Sequence, residues 1–271
     1  MKYVRSFLIF ISLGSIILYS SCDENGDLLL FSIQDDLDLG AQVAAEIEAD
    51  PDQFPIMSRS QYAGAYAVLD EMLAEILNSD MVTYKDEFAW ELHIIDDDQT
   101  LNAFATPGGY LYVYTGLIFF LDREDDLAGV IGHEVAHSDQ RHSSKQLQRT
   151  YGISLLLEVI AGGQSDLTQQ VLGGLVGVGA LQFSRDAETE ADEFSVEYLS
   201  DTEYACNGAA SFFEKLLANQ DSRDPEFLST HPDPGNRVEN IDAKASSVGC
   251  SSSFADADGS RMDALQALLR N

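Results

Sequence analysis

The stretch His133-Glu134-Val135-Ala136-His137 restricts this chain more than anything else in its 271 residues. It lies in a helical pattern that runs over Asp125–Arg141 and opens with acidic residues, as the helix dipole favours. On such a helix His133 and His137 stand one turn apart, about 40° round the axis, so both imidazoles reach one metal ion. Glu134 projects about 100° from His133, toward the open side of that ion. Two nitrogens so placed suit zinc, which in catalytic sites takes a third protein ligand and leaves a fourth position to water. The apolar neighbours Leu127, Val130, Ile131 and Val135 suit a buried helix of either kind, catalytic or structural.

A third ligand has to come from elsewhere. Ten residues after His133 stands Ser143, and Gln140 occupies the place where a third histidine on a continued helix would need glycine. His142, five residues past His137, falls about 140° round a continuous helix and reads as a surface or supporting residue. The better source is Ser184-Arg185-Asp186-Ala187-Glu188-Thr189-Glu190-Ala191-Asp192. There Glu188 and Asp192 are one turn apart. Glu188 can ligate zinc while Asp192 accepts a proton from a ligand imidazole and fixes its tautomer. Acids facing solvent on an acid-rich helix would leave the same pattern.

Charge and the amino terminus narrow the setting. With 15 basic and 46 acidic residues the formal charge is −31, which repels phosphate backbones and argues against nucleic acid as a partner. It argues equally against a basic patch on anionic lipid. Met1–Ser21 reads as an export signal: Lys2 and Arg5, then apolar Phe7–Leu18, then small residues before Cys22. Twelve residues span about 18 Å, short of a ~30 Å bilayer core. The pattern resembles a bacterial lipoprotein signal with Cys22 as the lipidated residue, although Tyr19 stands where an aliphatic residue is usual. Residues 22–36 form an acidic tether, and 37–271 the folded domain. Cys206 and Cys250 remain; an exported compartment permits a bridge between them, and two free thiols fit equally.

Along the chain helices dominate. Apolar spacing predicts them from Leu37 to Ile47, over Gln61–Leu77, Gly116–Leu121, Phe183–Leu199, Ala209–Ala218, Arg237–Ala245 and Arg261–Arg270. Phe88–Ile95 reads as a strand. Asn102–Thr106 and Tyr110–Tyr114 flank Pro107-Gly108-Gly109 as a hairpin. His93, on the first strand, reads as structural. Tyr151–Ile160 and Val171–Leu181 are apolar but too short to span a bilayer, so no transmembrane helix is expected in the mature chain. Gly162, Gly163, Gly173, Gly174, Gly177 and Gly179 between them suit either a movable lid or tight packing. The class is α+β, mainly helical with a small sheet.

His133–His137 followed by Ser184-Arg185-x-x-Glu188-x-x-Ala191-Asp192 resembles the zinc peptidase family of the CAAX prenyl proteases, HtpX and the Oma peptidases. Its exported BepA-like and LoiP-like lipoprotein or periplasmic members are the nearest in style. Asn102-Ala103-Phe104-Ala105-Thr106-Pro107-Gly108-Gly109, Arg141-His142-Ser143 and Thr230-His231-Pro232 agree. The resemblance implies a gluzincin-type domain with one Zn²⁺ on His133, His137 and Glu188, and Glu134 as general base. It implies that Gly109, Tyr110, Leu111, Tyr112 and Val113 form the sheet edge that receives substrate. His231 would be a fourth ligand or an oxyanion donor, and Arg237 an oxyanion donor or half of an ion pair. The implied work is cleavage of misfolded or unassembled envelope proteins by an enzyme anchored through Cys22 and facing the periplasm. The alternative is a zinc-bound, largely autoinhibited assembly factor for outer-membrane proteins.

Overall fold

The computed structural model describes residues 29–163, 165–176, 182–218, 226–232 and 235–270. The expected signal, Cys22 and the first part of the tether lie outside the described residues, as do Gly177 and Gly179. Two helices come first, α1 (Ile33–Ala49) and α2 (Ala63–Leu77), then the strands β1 (Glu91–Ile95), β2 (Ala103–Thr106) and β3 (Tyr110–Tyr114). A short α3 (Thr115–Phe120) leads into α4 (Glu124–Asp139) and α5 (His142–Tyr151). The remaining helices are α6 (Ile153–Ile160), α7 (Asp166–Val176), α8 (Arg185–Leu199), α9 (Gly208–Ala218), α10 (Glu226–Thr230), α11 (Arg237–Val248) and α12 (Ser260–Leu269). Among the described residues no helix is long and apolar enough to cross a membrane.

α1 begins four residues before the expected Leu37, inside the stretch assigned to the tether. Ser32 closes a capping box with Asp35, each side chain bonding the other's backbone N–H, and this fixes the start at Ile33. Asp36, expected in solvent, is buried: it accepts from Arg141 Nε at 2.5 Å and from Ser144 Oγ at 2.6 Å. The acidic composition of this stretch concealed both the cap and the buried pair.

The sheet corrects a second expectation. Strand order is β1-β3-β2, with β1 parallel and β2 antiparallel to β3. Tyr110, Leu111, Tyr112 and Val113 therefore form the middle strand, not the edge. Gly109 precedes it with φ +89°, and its carbonyl is taken by Glu91 N. The hairpin pattern specifies the β2–β3 pairing but carries nothing about β1 returning on the far side. Of the two edge strands, β2 is the one packed on α4, so an edge strand does flank the candidate site, one strand removed from the expected residues. His93 stacks on Tyr112 across the β1–β3 register, at 5.1 Å between ring centroids.

α4 is buried along its whole length and packs on α8, α9 and β2. Small residues make this possible. A Cβ on Gly129 would lie 2.1 Å from the Ala209 backbone nitrogen, so the α4–α9 crossing requires glycine there. Across the same region a disulfide joins Cys206 to Cys250, resolving the open question in favour of the bridge.

Candidate metal centre

The second half of α4 presents His133, Glu134 and His137; α8 presents Glu188 and Asp192 from its first two turns. His231 follows α10 directly, and Arg237 opens α11 behind Asn236, whose φ of +54° turns the chain. All of these side chains are buried. His133, His137, Glu188 and His231 each offer one donor atom, and the four atoms lie within 4.8 Å of one another. The His133 and His137 Nε2 atoms are 2.9 Å apart. Glu188 places Oε2 3.5 Å from His133 Nε2 and Oε1 3.4 Å from His137 Nε2. His231 Nδ1 is 3.2 Å from Glu188 Oε1 and 3.4 Å from His133 Nε2.

Three features of this cluster fit a divalent cation. Two imidazole nitrogens 2.9 Å apart cannot both present bare lone pairs to each other; a proton or a cation must be shared between them. Glu134 Oε1 and Oε2, Glu188 Oε2 and His231 Nε2 are buried without a hydrogen bond, although His231 Nε2 lies 3.4 Å from Glu134 Oε1 and Arg237 Nη2 lies 3.1 Å from Glu188 Oε2. Those pairs are within ion-pair range but off the bonding direction, and orphaned buried oxygens are costly. Finally, the carboxylates of Glu134, Glu188 and Asp192 face one guanidinium, Arg237. Once a metal displaces the imidazole protons, that leaves two negative charges, the complement of one divalent ion. A buried nitrogen and oxygen donor set of this kind suits zinc.

Around the donors lies an ordered set of supports. Asp192 Oδ1 accepts from His133 Nδ1 at 2.9 Å. The Arg237 guanidinium forks onto the same carboxylate, Nε to Oδ2 at 2.6 Å and Nη2 to Oδ1 at 2.7 Å. Of the two roles expected for Arg237, this geometry is the ion pair. Phe183 stacks on His137 with centroids 4.0 Å apart, and Phe227 on His231 at 4.3 Å. Neither aromatic had a signal in the sequence. His142 is not a surface residue: it is buried, 2.9 Å from His137 Nδ1 through its own Nδ1 and 3.0 Å from Glu190 Oε2 through Nε2.

Burial tunes the ionisable groups. It pushes the Glu134 carboxyl above the usual range, an effect that the nearby His231 and His133 partly offset. Burial and the His133 charge push His137 well below its ordinary value, favouring a free nitrogen. Burial and Arg237 oppose protonation of His133, yet its bonds to Asp192 and Glu188 hold it up at about 9. Burial opposes ionisation of Glu188 too, but the His231 charge and bonds from three imidazoles keep it a carboxylate.

The model of peptidase family M48 matches residues 43–245, three quarters of the chain. The chain belongs to peptidase family M48. It is 35% identical over 164 residues to the mitochondrial metalloendopeptidase OMA1 of Schizosaccharomyces pombe, covering 59% of this chain and 48% of that protein. To the beta-barrel assembly-enhancing protease of Yersinia pestis it is 28% identical over 231 residues, 78% of this chain and 47% of the relative. To the metalloprotease YcaL of Escherichia coli it is 28% identical over 210 residues, 76% and 74%. The chain thus spans about half the length of the first two relatives and three quarters of the third.

Proposed function

We propose that this M48 chain is a zinc-dependent endopeptidase that cleaves unfolded or unassembled exported proteins. The observation that carries this is the convergence of His133, His137, Glu188 and His231 beside a Glu134 carboxylate with no hydrogen-bond partner of its own. When bound, zinc supplies Lewis acidity that polarises the scissile carbonyl and lowers the pKa of the attacking water from ~15.7 toward ~7. Glu134 takes the water's proton onto a carboxylate oxygen and passes it to the leaving amine. A carboxyl whose pKa burial has raised is suited to both halves of that exchange. Asp192 holds His133 with Nδ1 protonated and Nε2 free, and the Arg237 fork holds Asp192 in place.

The setting belongs to the same reading: export, lipidation at Cys22, and a periplasm-facing position on the outer membrane. The name of the Yersinia relative, a beta-barrel assembly-enhancing protease, supports envelope proteins as substrates. One feature favours a second reading. His231 stands close enough to act as a fourth donor, which would close the site and give a low-activity assembly factor. Side-by-side metal analysis and casein cleavage, with and without chelator, test both. Glu134→Gln is expected to keep one zinc per chain and lose cleavage by about 10²–10⁴-fold. A Gln variant with wild-type turnover refutes the role of Glu134. A wild-type chain that holds zinc but does not cut favours the assembly factor.

A further inference from the structure

His142 and Glu190 are buried or half-buried ionisable groups with no task in the mechanism above. On an unbroken helix His142 would point about 140° away from His137. It does not, because α4 ends at Asp139, with Gln140 as its C-cap, and Arg141 adopts φ +58°, a conformation uncommon for a residue with a side chain. That elbow is fixed from outside. Arg141 donates to Asp36 and to the carbonyls of Phe31 and Ser32, and Ser144 donates to the other oxygen of Asp36. The elbow swings His142 back until its Nδ1 faces the Nδ1 of His137 at 2.9 Å.

The hydrogen-bond pattern then allows one assignment. If His137 offers Nε2 to the metal, its proton is on Nδ1, so His137 donates and His142 Nδ1 accepts. His142 must then carry its own proton on Nε2, where it meets Glu190 Oε2 at 3.0 Å. The partner ligand His133 is held by a carboxylate directly, through Asp192. Glu190 sits two residues from both Glu188 and Asp192, about 200° round α8, and so faces away from the donor set. An intervening imidazole spans that gap. Phe183 fixes the plane of the His137 ring but says nothing about which nitrogen is protonated; the relay does.

We propose that His142 and Glu190 are positioning residues, acting in series to hold His137 in its metal-binding tautomer. This rests on His137 being a ligand through Nε2. The test is zinc affinity, measured by competition with a chromogenic chelator on the full chain, with far-UV circular dichroism as the folding control. His142→Leu is expected to weaken zinc binding 10–100-fold. His142→Gln, whose amide can accept from His137 and donate to Glu190, should stay within about threefold of wild type. Glu190→Ala should weaken binding, and His142→Leu combined with Glu190→Ala should be no weaker than His142→Leu alone, because groups in series are not additive. Should His142→Leu not fold, Glu190→Ala at its part-exposed site carries the test, joined by ¹⁵N spectra of the His142 ring in wild type, where Nε2 is expected to be the protonated nitrogen. Wild-type affinity in both His142→Leu and Glu190→Ala overturns the relay, as does a His142 ring protonated on Nδ1 alone. His137→Ala separates the two levels of inference: zinc retained there sinks the metal-site reading itself, whereas zinc lost there but kept in His142→Leu sinks only the relay.

Discussion

Replacing Asp192 with asparagine isolates the charge that organises the centre. The Asp192 carboxylate accepts three bonds: one from His133 Nδ1 at 2.9 Å and two from the Arg237 fork at 2.6 and 2.7 Å. An amide has one acceptor oxygen, and its NH₂ must face either the imidazole N–H or the guanidinium, both of them donors. The Arg237 side chain is 3% exposed, so its charge loses its bidentate partner out of reach of water. Breaking a buried pair in this way costs about 3–5 kcal/mol. For a domain of this size each kcal/mol moves Tm by about 2–4 °C, so a fall of roughly 6–20 °C is expected. The measurement is guanidinium and thermal unfolding of chelator-treated protein, so that metal linkage does not enter. Zinc competition on the same variant should show affinity down about 10–100-fold, because His133 has lost the acceptor that fixes its tautomer. Adding Arg237→Met removes the guanidinium that is left with Glu188 Oε2 alone, at 3.1 Å; stability should partly return while zinc affinity does not. The reasoning fails if Asp192→Asn unfolds within about 1 kcal/mol of wild type, or if the double variant recovers zinc affinity together with stability.

What the sequence made legible follows the helical period. His133 with His137 and Glu188 with Asp192 are i, i+4 pairs, and that spacing survives in any helix, so their shared faces could be read before any coordinates. His231 and Arg237 came only from resemblance, since a histidine in a loop has no period to betray it. The misread residues lie where periodicity stops. Of the two readings of His142, surface or supporting, the structure bears out the second; its direction was not legible because Arg141 breaks the helix at positive φ, and no residue-type rule flags an arginine for that conformation. The middle position of Tyr110–Val113 depends on a parallel partner nineteen positions earlier in register, Glu91 against Tyr110, and alternation along one strand does not say how many neighbours it has. The start of α1 was readable in principle, as Ser32 and Asp35 stand at capping-box spacing, but the acidic composition outweighed that local signal. Phe183 and Phe227 look like any core aromatics until the rings they cover are known.

Two further measurements probe the frame around the centre. The Cys206–Cys250 bridge closes a 44-residue separation, which in the chain-entropy account is worth about 4 kcal/mol. Tm with and without reductant should differ by roughly 8–16 °C, and no difference would mean that the bridge does not form or does not constrain the unfolded chain. The second concerns Glu124 at the start of α4, whose Oε2 meets Arg261 Nε at 2.9 Å. Burial raises its pKa, the charge of Arg261 opposes this, and Asp256, Glu203 and Asp125 add to the rise. An acid with a raised folded pKa takes up its proton in the native state before it does so in the unfolded chain. Its contribution to stability is therefore greatest below the unfolded pKa of about 4.3, and is lost as pH rises through the folded value. Glu124→Gln removes that titration together with a part-exposed ion pair worth about 1 kcal/mol or less. At pH 7 the variant is expected to lie within about 1 kcal/mol of wild type. As pH falls toward about 4.5, wild type should gain on it steadily. Urea unfolding of both proteins across that range reads the sign directly: a wild type that loses ground to Glu124→Gln on acidification would mean that Arg261, and not burial, sets the Glu124 carboxyl.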